Sequence, residues 1–267
     1  MPDRQLTLRL ISAAILGPAV LLSIWFGGWF YFGLIMISAV LCAWEWAKMS
    51  VPRLRHTTVI IQAGSILLGV ILGQMGAFGL AFWCIVAGAA FAALVAVIKR
   101  GGIADVAFGV IYVGVPHVCA LWLRQAPDGQ LLVMLVVLAI WATDSAAYVA
   151  GRMVGGAKLA PAVSPNKTWS GAIGGAVAAM ATGVAFHFVF APHHGILALL
   201  VLGLILSVAS QFGDLFESLM KREFGTKDAG GLIPGHGGLL DRIDGLMAAM
   251  VVATGILTFL PVLWSQG

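Results

Sequence analysis

The chain has 267 residues, 61% of them hydrophobic and only 10% charged, with a formal net charge of +4 and a mean hydropathy of +1.01. Those values exclude an ordinary soluble domain. The three cysteines, Cys42, Cys84 and Cys119, fall inside apolar runs without disulfide or zinc spacing, so they read as small buried hydrophobes.

A bilayer core about 30 Å thick needs roughly 20 apolar residues per spanning helix. Nine such spans are predicted in chain order, at about 8–26, 29–47, 58–75, 77–98, 103–123, 130–151, 170–190, 195–217 and 245–264. The stretch 10–44 is almost continuously apolar and too long for one span, so it is divided at Gly27-Gly28. The first span has a basic start, Arg4 and Arg9, but no small-x-small cleavage site follows, which argues against a cleaved signal peptide. Continuous apolar runs, rather than alternating ten-residue segments, predict helices and not a barrel. Gly171, Gly174 and Gly175, one turn apart, predict a helix-packing face.

With the N-terminus inside, fourteen of the fifteen basic residues fall on that side and only Arg124 lies outside. This satisfies the positive-inside rule and places the two long polar loops, 152–169 and 218–244, at the cytoplasm. The basic residues therefore belong to membrane edges and anionic headgroups rather than to nucleic acid. No internal repeat emerges. Acids are sparse over 1–129, whereas 130–250 holds the other seven of eleven. The first part, 1–129, reads as a scaffold of about five helices, and 130–267 as a catalytic region with both cytoplasmic loops.

Three segments carry the chemistry. In "WATDSAAYVAGR", 141–152, Asp144 sits about eight residues, roughly 12 Å, from the cytoplasmic end of its span. A carboxylate at that depth costs about 3 kcal/mol on insertion scales, so it faces a cavity or a partner. Tyr148 and Gly151 share its face. The competing reading is a hydrogen bond to a neighbouring helix. In "SPNKTWSG", 164–171, Ser164-Pro165 is a turn signal and Thr168 or Ser170 can cap the next helix. Lys167, with Ser164 and Thr168 at that helix N-terminus, suits a phosphate, or simply a capping turn with a topology-fixing lysine.

The third segment runs from the end of the eighth span to the start of the ninth. Asp214 and Glu217 share a face by i, i+3 spacing, and Asp241 and Asp244 repeat it. Four carboxylates on two helix ends repel one another without cations, and hard oxygen ligands suit magnesium together with substrate phosphates. Between them Gly230, Gly231, Gly235, Gly237 and Gly238 allow close backbone approach to an anion. Lys221, Arg222, Lys227 and Arg242 supply positive charge, and His236 can donate to a phosphate or move a proton. Soluble nucleotide signatures, the P-loop and the dinucleotide fingerprint, are absent.

These residues resemble the phosphatidate cytidylyltransferases, the CDP-diacylglycerol synthases. The resemblance rests on Ser218, Lys221, Arg222, Lys227, Asp228, Gly230, Pro234, His236, Gly237, Gly238, Asp241, Arg242 and Asp244, in the order and spacing of that family's signature. "TDSAAYVAGRMVG" and "SPNKTW" are similar to its other two segments, so 140–250 is covered closely and 1–130 only in character. Two positions depart from the pattern. Ser170 stands where the family commonly has glutamate, and Gly245 where a serine often follows the final aspartate.

The resemblance implies transfer of CMP from CTP to phosphatidic acid, giving CDP-diacylglycerol and pyrophosphate, in the plasma (inner) membrane of a bacterium. It implies direct Mg2+ contact by Asp214 and Asp241, with Asp244 assisting or holding a second cation. Asp144, Lys167, Lys221, Lys227, His236 and Asp244 are then expected in the catalytic centre. Ser164, Thr168, Arg222, Gly237, Gly238 and Arg242 are expected on the substrates. A homodimer is compatible with so helix-rich a chain. The competing functions are a CTP-dependent lipid kinase, which would release CDP, and an ion-coupled transporter using Asp144 and Asp214, which would call for matching halves.

Overall fold

The computed structural model describes residues 2–232 and 237–264, with side chains placed within those ranges at residue 12 and from residue 14 onward. Among the described residues are nine α-helices, two short strands and two 3-10 turns. Eight helices are long and apolar enough to cross a membrane, and α1 (Pro2–Phe26) adds a shorter apolar segment, Ala14–Phe26. The protein is an all-α polytopic membrane protein, as its composition predicts. Two compact units divide the chain, Met1–Ala126 with Glu223–Ile243, and Pro127–Arg222 with Asp244–Gly267.

In the first unit α1 is followed by α2 (Gly28–Ser50), a 3-10 turn at Pro52–Leu54, α3 (Arg55–Gln74), α4 (Phe78–Lys99) and α5 (Ile103–Gln125). The predicted break at Gly27-Gly28 is real. Gly27 adopts φ +63°, a left-handed conformation that stops α1. The guanidinium of Arg124 lies against Gly27, and its Nε donates to the Ile24 carbonyl at 3.0 Å. That bond satisfies a carbonyl at the end of α1. Helix α3 packs against α2, α4 and α5. Lipid gives helices no hydrophobic reason to associate, so packing and internal hydrogen bonds hold them together. Trp46, Ile66, Ile85, Leu121 and Leu123 are fully buried. Trp46 Nε1 donates to the Asp105 carbonyl and Gln62 Nε2 to that of Val106, each at 2.9 Å.

The second unit holds α6 (Gly129–Met153), β1 (Lys158–Ala160), β2 (Ser164–Thr168), α7 (Trp169–Val189), most of α8 (Ile196–Glu223) and most of α9 (Leu240–Phe259), then a 3-10 turn at Pro261–Leu263. The predicted glycine face packs α7 on α6. The carbonyls of Ala147 and Thr143 lie 2.8 and 2.9 Å from where a Cβ would stand on Gly171 and Gly175. Farther along α7, the Leu199 carbonyl of α8 fills the Cβ position of Gly183.

Three features differ from the sequence expectation. The loop 152–169 contains an antiparallel hairpin, with Lys158 opposite Thr168 and Ala160 opposite Ser164. Ser164-Pro165 thus lies in β2 rather than in a turn; the chain reverses at 161–163, where Pro161 supplies the fixed φ. Pro165 is tolerated because a two-stranded ribbon has only edge strands. Helix α8 runs on to Glu223, so Lys221 and Arg222 are helical rather than in a loop; Lys221 Nζ meets Glu217 Oε2 one turn earlier at 2.5 Å. Helix α9 starts at Leu240, five residues before the expected 245, because acids receive its first N–H groups. Of the two caps expected for α7, Thr168 serves, accepting from Gly171 N at 3.1 Å, while Ser170 Oγ donates to the Gly155 carbonyl at 2.5 Å.

Candidate active site

The predicted residues gather in two groups, one in each unit. In the second unit, β2 delivers Lys167 immediately before the capped start of α7, and Lys167 forms an ion pair with Asp214 of α8. One turn along α8, Glu217 is wholly buried and paired with Lys221. Asp244 of α9, 9% exposed, faces both acids and hydrogen-bonds Glu217. It also accepts the N–H of Gly245 at 2.7 Å. The approach of α9 to α8 depends on missing side chains. A Cβ on Gly213 would stand 2.6 Å from that of Ala248 and 2.8 Å from the Asp244 carbonyl, and Ser210 occupies the Cβ space of Gly245.

Three carboxyl groups and two ammonium groups therefore meet at the ends of α7, α8 and α9, and the hydrogen bond between Asp244 and Glu217 requires one proton held between them. Asp214 and Lys167 are partly open to solvent while Glu217 and Asp244 are buried, so a cation entering from the open side can take the place of that proton. Hard oxygen donors fit a divalent metal of the magnesium class. Arg222 extends from α8 to the hairpin turn, its Nε 3.5 Å from the Val163 carbonyl. Ser164 lies at the start of β2, and Thr168 is buried with its hydroxyl committed to the helix cap. Asp144 is exposed on α6, on the same turn as exposed Tyr148, whose hydroxyl accepts from Arg152 at 3.0 Å.

In the first unit a second group surrounds Asp241. Its two carboxylate oxygens each lie 3.1 Å from Ala229 N, and Gly238 N donates to Oδ2 at 3.0 Å. Gly237 turns the chain here with φ +86°. Lys227, Asp228 and Arg242 are exposed around this loop. His236, with Pro234 and Gly235, lies outside the described residues.

The residue that sequence reasoning overlooked is Glu45. It stands five residues before the end of α2, is wholly buried, and accepts Leu239 N at 3.1 Å and Leu240 N at 2.7 Å. Gly230 and Gly238 press directly on its carboxylate, leaving no room for a Cβ at either. A negative group at a helix N-terminus is favourable both as hydrogen-bond acceptor and against the helix dipole. The signal was present. An acid in an apolar span demands a partner by the same argument that singled out Asp144. So Glu45 and Asp241 between them receive the N–H groups of Ala229, Gly238, Leu239 and Leu240, and fix the glycine-rich loop to the start of α9.

The sequence profile of the cytidylyltransferase family matches residues 7–260. The phosphatidate cytidylyltransferase of Brucella suis biovar 1 (strain 1330) is 42% identical over 248 residues, covering 92% of this chain and 90% of that protein. That of Haemophilus influenzae (strain ATCC 51907 / DSM 11121 / KW20 / Rd) is 33% identical over 277 residues, covering 91% and 95%. In Staphylococcus haemolyticus (strain JCSC1435) a protein of the same name is 41% identical over 152 residues, 56% of this chain and 58% of its own.

Proposed function

The chain belongs to the cytidylyltransferase family, and from that premise we propose how its residues perform the reaction. It is a nucleotidyltransferase of phospholipid synthesis, a CTP:phosphatidate cytidylyltransferase. A phosphate oxygen of phosphatidic acid attacks the α-phosphorus of CTP, and the bond from that phosphorus to the oxygen bridging the β-phosphate breaks. CDP-diacylglycerol and pyrophosphate are the products. The lipid phosphate, with a second pKa near about 6, is largely ionised at neutral pH, so the nucleophile needs no strong base. The difficulty is bringing two polyanions together, which positioning and charge neutralisation overcome.

The observation that carries this reading is the convergence of Asp214, Glu217 and Asp244 with Lys167 and Lys221. Lys167, beside the N-terminus of α7, and Lys221 and Arg222, on the last turn of α8, bind phosphates of CTP or lipid. Ser164 and Thr168 border the same helix start. Asp214 and Asp244 would hold Mg2+, while Asp241, expected as a direct ligand, is given to the N–H groups of Ala229 and Gly238. When bound, that ion offsets the negative charge of the CTP phosphates and of the departing pyrophosphate. Glu217 orients Lys221, and Asp144 lines the approach from α6. Lys227 and Arg242 add positive charge about the loop that Asp241 organises. In this division of labour 130–267 supplies the reacting groups and 1–129 the scaffold, whose Glu45 anchors the loop. The charge pattern along the chain supports a site at the cytoplasmic face of the inner membrane, where CTP arrives from one side and the lipid headgroup from the other.

The test uses purified protein in detergent with phosphatidic acid, Mg2+ and CTP labelled at either the α- or the γ-phosphate. Label entering lipid from the α position only, and lost in Asp214→Asn, fits the proposal. Label entering from the γ position would mean a lipid kinase.

A further inference from the structure

Opposite Lys167 and Asp214, at the other ends of α6, α7 and α8, three side chains that the transfer reaction leaves unused come together. Asp128, the residue before α6, has its Oδ2 3.6 Å from His193 Nε2 and 3.5 Å from His194 Nε2, both in the α7–α8 connection. One ligating atom from each of the three lies within 4.8 Å of the others. The 21 residues of α7 put this group roughly 30 Å from the helix start beside Lys167.

The separations are informative. An N–H···O hydrogen bond spans about 2.7–3.2 Å, so both contacts are too long to be good ones. A tetrahedral zinc ion with bonds of about 2.0–2.2 Å holds neighbouring ligand atoms about 3.4 Å apart. Two imidazole nitrogens converging on one carboxylate oxygen at 3.5–3.6 Å thus match ligands around an ion better than a hydrogen-bonded trio.

The surroundings also hold the group in place. The Trp264 ring stacks on His194 with centroids 4.1 Å apart, and its Nε1 donates to the Pro127 carbonyl at 3.2 Å. His187 Nδ1 bonds the His194 carbonyl at 2.8 Å. Asp128 adopts φ +51°, a conformation that a side chain resists unless its neighbours impose it. Such supporting contacts orient ligands in metal sites.

We infer that Asp128, His193 and His194 form a transition-metal site that takes Zn2+, with the fourth position open to solvent. Two imidazoles and one carboxylate suit zinc and not magnesium, which prefers oxygen ligands throughout. His193 and Asp128 have side chains 42% and 34% exposed, which gives an ion a way in. Binding ties the start of α6 to the α7–α8 connection.

The test uses the full chain purified without a polyhistidine tag, stripped with chelator and returned to buffer with excess Mg2+, which competes at the Asp214 carboxylates. After zinc loading and desalting, bound zinc is counted by mass spectrometry. Wild type is expected to retain about one zinc per chain, and His193→Ala and Asp128→Asn less than about a tenth of that. Zinc should raise the melting temperature of wild type only. Both variants alter exposed side chains and spare His194, which is buried against Trp264. X-ray absorption of the loaded protein should show imidazole ligation. Wild type retaining no zinc would overturn the assignment, and so would His193→Ala retaining as much as wild type, the result expected of zinc held at the Asp214 carboxylates.

Discussion

Glu45 Oε2 accepts the backbone N–H of Leu240 at 2.7 Å across 195 positions of sequence. One acid in the second helix thereby sets where the ninth begins. Removing it strands two N–H donors, those of Leu239 and Leu240, each costing about 1–3 kcal/mol when left unpaired. Glu45→Ala should lower the melting temperature by about 5 °C or more and reduce transfer. Glu45→Gln, which keeps one acceptor oxygen, should fall between the two. Differential scanning fluorimetry alongside the transfer assay checks both, and an unchanged melting temperature in Glu45→Ala would refute the anchoring role.

Asp214→Asn removes one charge from the acid cluster and the partner of Lys167. The expected loss in kcat is about 100-fold or more, with a shift to higher Mg2+ demand. Lys167→Met should act mainly through CTP or lipid affinity. Because the two side chains touch, the double variant should lose less than the product of the single losses. Strict multiplicativity would mean that the ion pair has no part in catalysis.

Gly183→Ala puts a methyl group into the Leu199 carbonyl, and α7 and α8 must separate to admit it. Destabilisation of about 1–3 kcal/mol is expected. Gly64→Ala in α3, where nothing lies within 4 Å, is the control and should be neutral. Thermal melts of the two variants should diverge accordingly; similar melts would mean that the α7–α8 contact yields easily.

Orientation is open to chemical labelling. In a chain whose three cysteines are replaced, Pro192→Cys should react with a membrane-impermeant maleimide on intact spheroplasts. Glu223→Cys should react only after permeabilisation. The reverse pattern would turn the proposed topology over and move the site to the outer face.

Where membrane thickness dictates length, the sequence was easy to read. The fourth and fifth spans, expected at 77–98 and 103–123, are Phe78–Lys99 and Ile103–Gln125, and the break at Gly27 fell where left-handed backbone was needed. Reading failed where helices run into charged sequence, because there a helix end is decided by its capping partner. The start of α9 depends on Glu45, far away in the chain, and the local signal, Asp241 in the first turn, does not by itself fix the first residue. The end of α8 was closer to hand, since Glu217 and Lys221 are spaced to pair on a helix, yet the run of charge from Lys221 onward suggested a loop. The residues gathered around Asp214 were all legible by type. What the sequence did not supply was the pairing, Lys167 with Asp214 and Lys221 with Glu217, which depends on how three helix ends meet.

Gly245 and Ser210 have a consequence for how this chain can vary. The hydroxyl of Ser210, on α8, occupies the space where a side chain at 245, on α9, would begin. The family this chain resembles often carries serine at that second position. Here Ser210 contributes a small polar group from the opposite helix, so what position 245 can carry depends on the residue at 210. Gly245→Ser by itself should be damaging, and Ser210→Gly beside it should restore the fit. A side chain can enter at 245 only once Ser210 has given up its own, so tolerance at one position is conditional on the residue at the other.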